Sequence, residues 1–175
     1  MRHEINTKSW KDFQIGKLFE ISRPVARSKD DYRDGNVPYV ASGTFNNGVL
    51  AFLQPHNGET LDKGNCLTVS PLDGSAFYQP NDFLGRGGAG SAIIILYNSH
   101  LSQMPGLYIA TVLSVALKAH SYIDQISSES IKTMTVKLPV NTSGDPDWSY
   151  MSTYMSKILN EEREYAEALI SSCDH

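Results

Sequence analysis

Ile131-Lys-Thr-Met-Thr-Val-Lys-Leu138, then Pro139, then Asn141-Thr-Ser-Gly-Asp-Pro-Asp147, then an apolar-periodic run from Trp148 to Ile170: this stretch decides how the whole chain is read. Its first segment is rich in β-formers and stops at a proline, which cannot donate to a sheet ladder, so a strand is predicted over 131–138. The next seven residues concentrate Asn, Thr, Ser, Gly, Pro and Asp and predict a turn. Asp147 stands where a helix N-cap belongs, its carboxylate able to accept the orphan N–H groups of a first turn. Beyond it Met151, Met155, Ile158, Glu162, Tyr165 and Leu169 recur at spacings of 4, 3, 4, 3 and 4, a heptad seam interrupted by one carboxylate. Tyr154, Leu159, Ala166 and Ile170 widen the apolar face beyond that seam, and such a surface requires a partner.

The Leu138-Pro139, Gly144-Asp-Pro-Asp-Trp148 and Tyr154-Met155 elements within 131–157 resemble the end of a DNA target-recognition domain. Domains of this kind occur in the specificity subunits of type I restriction-modification systems and in related specificity subunits of some type II systems. There each recognition domain is followed by a long helix, which serves as a spacer and as a docking site for methyltransferase subunits. From the residues alone the competing reading is a surface helix packed on its own domain.

Working outward, a chain of 175 residues with 41% apolar content suits one domain with a real core plus an appendage. No run approaches the roughly 20 apolar residues that span a bilayer, and Met1-Arg-His-Glu4 is no signal peptide, so a cytoplasmic protein without membrane association is expected. Cys66 and Cys173 lack any metal-ligand spacing and predict reduced thiols, with neither metal nor cofactor. The net charge of −4 argues at first sight against nucleic acid. Its distribution reverses that judgement: basic and acidic groups balance over 1–100, whereas Glu161, Glu162, Glu164 and Glu167 crowd the final helix. In the neutral part Arg23, Arg27, Lys29 and Arg33 outnumber Asp30 and Asp31 and predict a basic loop able to track a phosphate backbone.

In chain order, the Trp10–Ile21 segment places aromatic and aliphatic residues so that a short strand passes through Gly16 into one helical turn. It too resembles the family, whose recognition domains open with an aromatic residue and a Leu-Phe-Glu-Ile-like run. Ser22 to Asn36 is a loop by composition. Val37–Ala41 and Val49–Leu53 predict strands joined by Ser42-Gly-Thr-Phe-Asn-Asn-Gly48, whose Asn47-Gly48 pair favours positive φ. Ser42, Thr44, Asn46 and Asn47 would then offer short donors and acceptors to base edges or phosphates from a loop between rigid strands. Asn65–Ser70 and Ser75–Gln79 predict two further strands around a tight Pro71–Gly74 turn. Leu84-Gly-Arg-Gly-Gly-Ala-Gly-Ser91 matches neither nucleotide-binding fingerprint, but its glycines allow close approach to a ligand and leave Arg86 free for a phosphate or guanine. Ala92–Tyr97 reads as a strand buried on both faces, and Leu107–Leu117 as a buried helix started near Met104-Pro105. Where the family often continues a Tyr-rich segment with Gly and a basic residue, this chain has Ile123-Asp124, which disfavours a phosphate contact there.

His56, Asp73, Cys66 and His120 are possible acids, bases or nucleophiles, yet no G-x-S-x-G, H-E-x-x-H or paired-carboxylate signature accompanies them, and no catalysis is expected. The expectation is an α+β protein, a twisted mostly antiparallel sheet with a buried helix over 1–145, followed by a spacer or dimerisation helix over 146–175. The resemblance implies a non-catalytic, sequence-specific recognition subunit. Its partners would be double-stranded DNA, a methyltransferase subunit, a restriction subunit, and a second copy or second recognition domain joined through the terminal helix. The alternative is a protein-interaction module that uses the same helix without nucleic acid; strong salt dependence of DNA binding would separate the two.

Overall fold

The computed structural model describes residues 6–89, 92–121 and 125–173, with side chains for all of these except 119–121 and 173. Ser91, Ile123, Asp124 and the side chains of His120 and Cys173, all weighed above, lie outside the described residues.

β1 (Lys11–Gln14) passes directly into one helical turn, α1 (Ile15–Leu18), and then into β2 (Glu20–Ser22), as the Trp10–Ile21 pattern predicts. β2 is the edge of a four-stranded antiparallel sheet whose other members are β5 (Cys66–Val69), β6 (Ala76–Gln79) and β8 (Ile94–Tyr97), in the order β2-β8-β5-β6. A second sheet joins β3 (Arg33–Val40) antiparallel to β4 (Val49–Gln54) and parallel to the short β7 (Leu84–Gly85). β9 (Thr135–Leu138) pairs antiparallel with β1. The mostly antiparallel α+β class is thus observed, but the strands are divided among three sheets.

The 19-residue α2 (Gln103–Ser121) packs on the four-stranded sheet, and the 26-residue α4 (Trp148–Cys173) packs on α2. Ile94 and Leu96 join Leu67, Val69, Leu113, Leu117 and Met151 in the main core, whereas Ile93 and Ile95 face a second cluster with Val40, Cys66 and Phe83. β8 is therefore buried on both faces, the meaning of its unbroken apolar run. Asp147 caps α4 as expected, its Oδ1 accepting the Tyr150 N–H at 2.8 Å.

Three local expectations are corrected. The strand expected over 131–138 is only its second half; the first belongs to a helical turn, α3 (Ser130–Thr133). The backbone N–H of Ser127 donates to Ser130 Oγ and that of Ser130 to Ser127 Oγ, each at 2.9 Å, and this reciprocal lock starts the turn and drops Ile131 into the core with no exposed surface. The loop expected to reach Asn36 ends earlier, because β3 begins at Arg33 and absorbs its polar residues in an irregularity between Asp34 and Val37. α2 is not covered all round: Thr111 is exposed and Val115 is 73% exposed on the side turned toward α4.

Gly106 lets α2 approach the sheet, since a Cβ there would lie 2.2 Å from Cδ2 of the buried Tyr78 ring. That ring is further pinned by its hydroxyl, which donates to Asn65 Oδ1 at 2.8 Å. Gly106→Ala should therefore lower stability by about 1–3 kcal/mol, overpacking outweighing the better helix propensity of alanine. Thermal unfolding followed by circular dichroism checks this; an unchanged midpoint would mean the ring steps aside freely.

Candidate nucleic-acid interface

Three stretches singled out by sequence, the basic loop, the β3–β4 turn and the glycine-rich segment, are tied together by hydrogen bonds. At their base lies Arg27, 8% exposed. Its Nε donates to Glu59 Oε1 at 2.8 Å, Nη1 to Asp62 Oδ2 at 2.8 Å and to the Gly85 carbonyl at 3.0 Å, and Nη2 to the Thr60 carbonyl at 2.9 Å. Tyr39 Oη donates to the Arg27 carbonyl, and Tyr32, stacked on His56 with ring centroids 4.5 Å apart, donates to Glu59. Burial opposes the Arg27 charge, but the Glu59 hydrogen bond and the two carboxylates outweigh it and hold its pKa above the usual value. Burial likewise opposes the Glu59 charge and is outweighed by Arg27, the His56 N–H and Tyr32, so Glu59 titrates below its usual 4.5. Arg27 was expected to meet DNA; its donors point inward, and it is a brace.

Two glycines of the segment 85–88 serve the same brace. A Cβ on Gly87 would fall 2.1 Å from the Pro24 carbonyl, where Ala26 and Gly87 form a parallel bridge, and one on Gly85 would meet the Pro24 ring at 2.9 Å. The close approach they permit is of chain to chain. Arg86 between them is half-buried, its backbone N–H donating to the Val40 carbonyl and its carbonyl accepting from Ile93. Its Nε is buried without a hydrogen-bond partner.

The β3–β4 turn is equally fixed. Asn46, Asn47 and Gly48 follow one another at positive φ, 51°, 56° and 74°. Asn47 Nδ2 donates to the Tyr78 carbonyl and to Gln79 Oε1, Gln79 Nε2 returns a bond to the Asn47 carbonyl, and Asn46 Nδ2 donates to the Val49 carbonyl. Ser42 Oγ donates to the Ala92 carbonyl at 2.9 Å. Three of the four polar residues expected to face a ligand thus spend donors on the protein's own backbone and side chains, Ser42 and Asn47 on neighbouring segments and Asn46 at the start of β4, and Thr44, Asn46 and Asn47 are exposed. Beside Thr44 stands Phe45, 85% exposed, for which the sequence offered no periodic or motif signal. Arg23 and Ala92 line one small recess, which brings Arg23 near Ser42 and the Arg86 strand connection. Arg33 instead opens onto a separate recess with His56 and Asn57, and Lys29 is exposed on the turn before it.

The helical seam divides. Met151 is fully buried in the chain's own core, with Met155 and Tyr154 packed against it, and Ile158 borders an apolar groove of about 600 Å³ with Trp10, Tyr108 and Val115. Glu162 is exposed, as are Tyr165 (64%), Leu169 (48%) and Ile170 (65%). Burial pushes the Cys66 thiol up to about 12, far from a nucleophile's range. Among the described residues no His/Cys/Asp/Glu group could hold a metal ion, and no helix is long and apolar enough to cross a membrane.

Comparison with known proteins agrees with this architecture. The S subunit of the type I system of M. genitalium superposes with a TM-score of 0.57 at 13% identity, over 95% of this chain and 44% of that one. The HsdS subunit of Thermoanaerobacter tengcongensis gives 0.58 at 13% identity, over 94% and 41%. A structure concerned with complex assembly and conformational transition of the type I system gives 0.62 at 14% identity, over 97% and 43%. These define the fold as that of a restriction-modification specificity subunit. Residues 7–168 match the model of the family described as Type I restriction modification DNA specificity domain, and the chain belongs to that family. It is 26% identical over 156 residues to S.BcgI, a type II restriction enzyme specificity subunit of Heyndrickxia coagulans, covering 87% of this chain and 44% of that protein. The chain spans less than half the length of these relatives.

Arg27→Met would leave Glu59 and Asp62 without their cation and should cost roughly 3–5 kcal/mol, read from urea unfolding at neutral pH. Because the folded pKa of Glu59 lies below 4.5, its stabilisation is present above that pH and lost as pH falls through the folded value. Glu59→Gln should therefore flatten the acid limb of stability against pH; an unaltered limb would remove Glu59 from the brace.

Proposed function

We propose that this chain is the DNA-recognition element of a restriction-modification complex, and that the chemistry resides in a methyltransferase and a restriction subunit it guides. The observation that carries this reading is the family match across residues 7–168, spanning the braced loops as well as most of α4. Residues 1–145 form the reading unit and 146–175 the spacer helix. Arg23, Lys29 and Arg33 contact phosphates, Thr44 and Arg86 meet bases or phosphates, and Ser42, Asn46, Asn47 and Arg27 hold the platform.

The free half of α4 joins a second recognition unit, either another copy or a second domain. Tyr165, Leu169 and Ile170 each contribute on the order of 1.5–3 kcal/mol if fully buried against a partner. An antiparallel arrangement avoids stacking each of Glu161, Glu162, Glu164 and Glu167 directly on its own copy and places two reading units at opposite ends, which suits a bipartite target. Sedimentation of the chain against a Tyr165→Asp plus Leu169→Asp variant tests this, since both positions are exposed and their loss spares the core. A wild-type monomer at tens of micromolar would leave α4 as a docking rod alone.

Arg86→Ala should cost the assembled complex roughly 1–3 kcal/mol in binding its target if the side chain reads a guanine. Binding of target and of non-target duplexes at low salt that is unchanged between wild type and variant would take Arg86 out of the site. The purified chain alone should transfer no methyl group to DNA.

A further inference from the structure

Phe45 is the most exposed large apolar side chain among the described residues, at 85%. Singly exposed apolar residues are ordinary, so exposure alone decides nothing. What distinguishes Phe45 is the turn beneath it. Its carbonyl accepts the Gly48 N–H at 2.9 Å, the Ala41 N–H reaches the Gly48 carbonyl at 3.0 Å, and Asn47 is bonded on both sides to β6. Two consecutive non-glycine residues in the left-handed region belong to this turn, a backbone that persists only when its surroundings enforce it. A flexible loop could fold the ring back onto the protein; this one keeps it out.

Position then argues for the kind of partner. Val40, one residue before the turn, accepts the Arg86 N–H at 2.8 Å, and Ser42 within it bonds the Ala92 carbonyl beside the recess that Arg23 lines. An aromatic ring is thus carried on the same framework as an arginine with an unpartnered buried Nε and another arginine exposed to solvent. Cations that draw in phosphates beside a projecting ring are the chemistry of base stacking and of apolar wedges at base steps. Thr44, Asn46 and Asn47, on either side of the ring in the turn, are polar and exposed and offer a nucleic acid hydrogen bonds, whereas a protein partner would use the apolar Leu50 and Phe52 exposed on β4 as well.

We propose that Phe45 enters the target duplex and stacks on, or wedges beside, a base step, acting as a specificity-determining contact while Arg86 and Arg23 engage the flanking backbone. This rests on the reading of the chain as a DNA-recognition element. The test uses the full chain assembled with its modification subunit and a duplex carrying the site found by methylome sequencing, with 2-aminopurine placed at successive positions. Wild type should raise the fluorescence at one step besides the base that the modification subunit extrudes for methylation. Phe45→Ala should abolish that signal and weaken target binding about tenfold, the scale of one lost base stack, with non-target binding unchanged, while Phe45→Trp restores both. Phe52→Ser, an exposed apolar residue of the neighbouring strand, should behave as wild type. Unchanged target affinity in Phe45→Ala, or a loss of co-purification with the modification subunit in place of a loss of DNA affinity, overturns the proposal and leaves DNA recognition standing. A wild-type complex that prefers no duplex overturns the underlying reading as well.

Discussion

A guanidinium taken out of water is among the most expensive groups a small domain can bury, and Arg27 is buried at the junction of three irregular segments. It is tolerable because four hydrogen bonds and two carboxylates receive it. Those acceptors are scattered: Glu59, Thr60 and Asp62 lie on the connector after β4, Gly85 on the strand β7. Each would leave a polar group unsatisfied if its segment drifted, so the cost of burial becomes a penalty on relative motion of the loops. Asp62 reinforces this by also accepting the Gly85 N–H at 3.0 Å. The positions of the Arg23 and Arg86 segments follow from one ion cluster, while the β3–β4 turn is held separately by Asn47 and Ser42.

α4 faces a different constraint. At about 1.5 Å per residue its 26 residues extend roughly 39 Å, far more than the domain can cover. Its first turns are sealed by Met151 and the Asp147 cap, with Tyr154 edge-on to Tyr108 at 5.8 Å between centroids. The rest is exposed, and a helix of that length would be marginal by itself in water. Anchoring of the N-terminal half supplies the nucleus from which the exposed half propagates. Core element and projecting arm are therefore one continuous object, and the arm's direction is set by packing inside the domain.

Local signals were legible in the sequence and distant ones were not. The Asp147 cap, the Asn47-Gly48 turn, the passage through Gly16 and the two-faced burial of β8 each depend on residues adjacent in the chain. The α3 turn was missed because the alternation of 131–138 looks extended until the Ser127–Ser130 exchange is known. In the sequence Arg27 looks like one of several surface cations, since its partners Glu59 and Asp62 are 32 and 35 residues away and nothing in the Arg23–Arg33 run separates the buried arginine from its neighbours. For the same reason the heptad seam looked continuous: periodicity records which side of α4 is apolar, and not where the chain's own core stops covering it. Ser42, Asn46 and Asn47 were legible as loop residues, but whether a short side chain faces its own backbone or a ligand depends on the geometry of the turn.

The acidic character of the exposed half of α4 bears on the orientation of any partner. Glu161, Glu162, Glu164 and Glu167 crowd the exposed half with Arg163 among them, and like charges three residues apart on a helix repel. Lys157 approaches Glu161 at 3.9 Å, an exposed pair of little weight. A parallel neighbour would stack this cluster against its own image and add a second negative helix end. An antiparallel neighbour runs its exposed half the other way, so that its Lys157 approaches the C-terminal end of this helix rather than its own counterpart. The surface that packing leaves uncovered and the charge crowded on it are therefore the two features that the proposed antiparallel pairing has to accommodate at once.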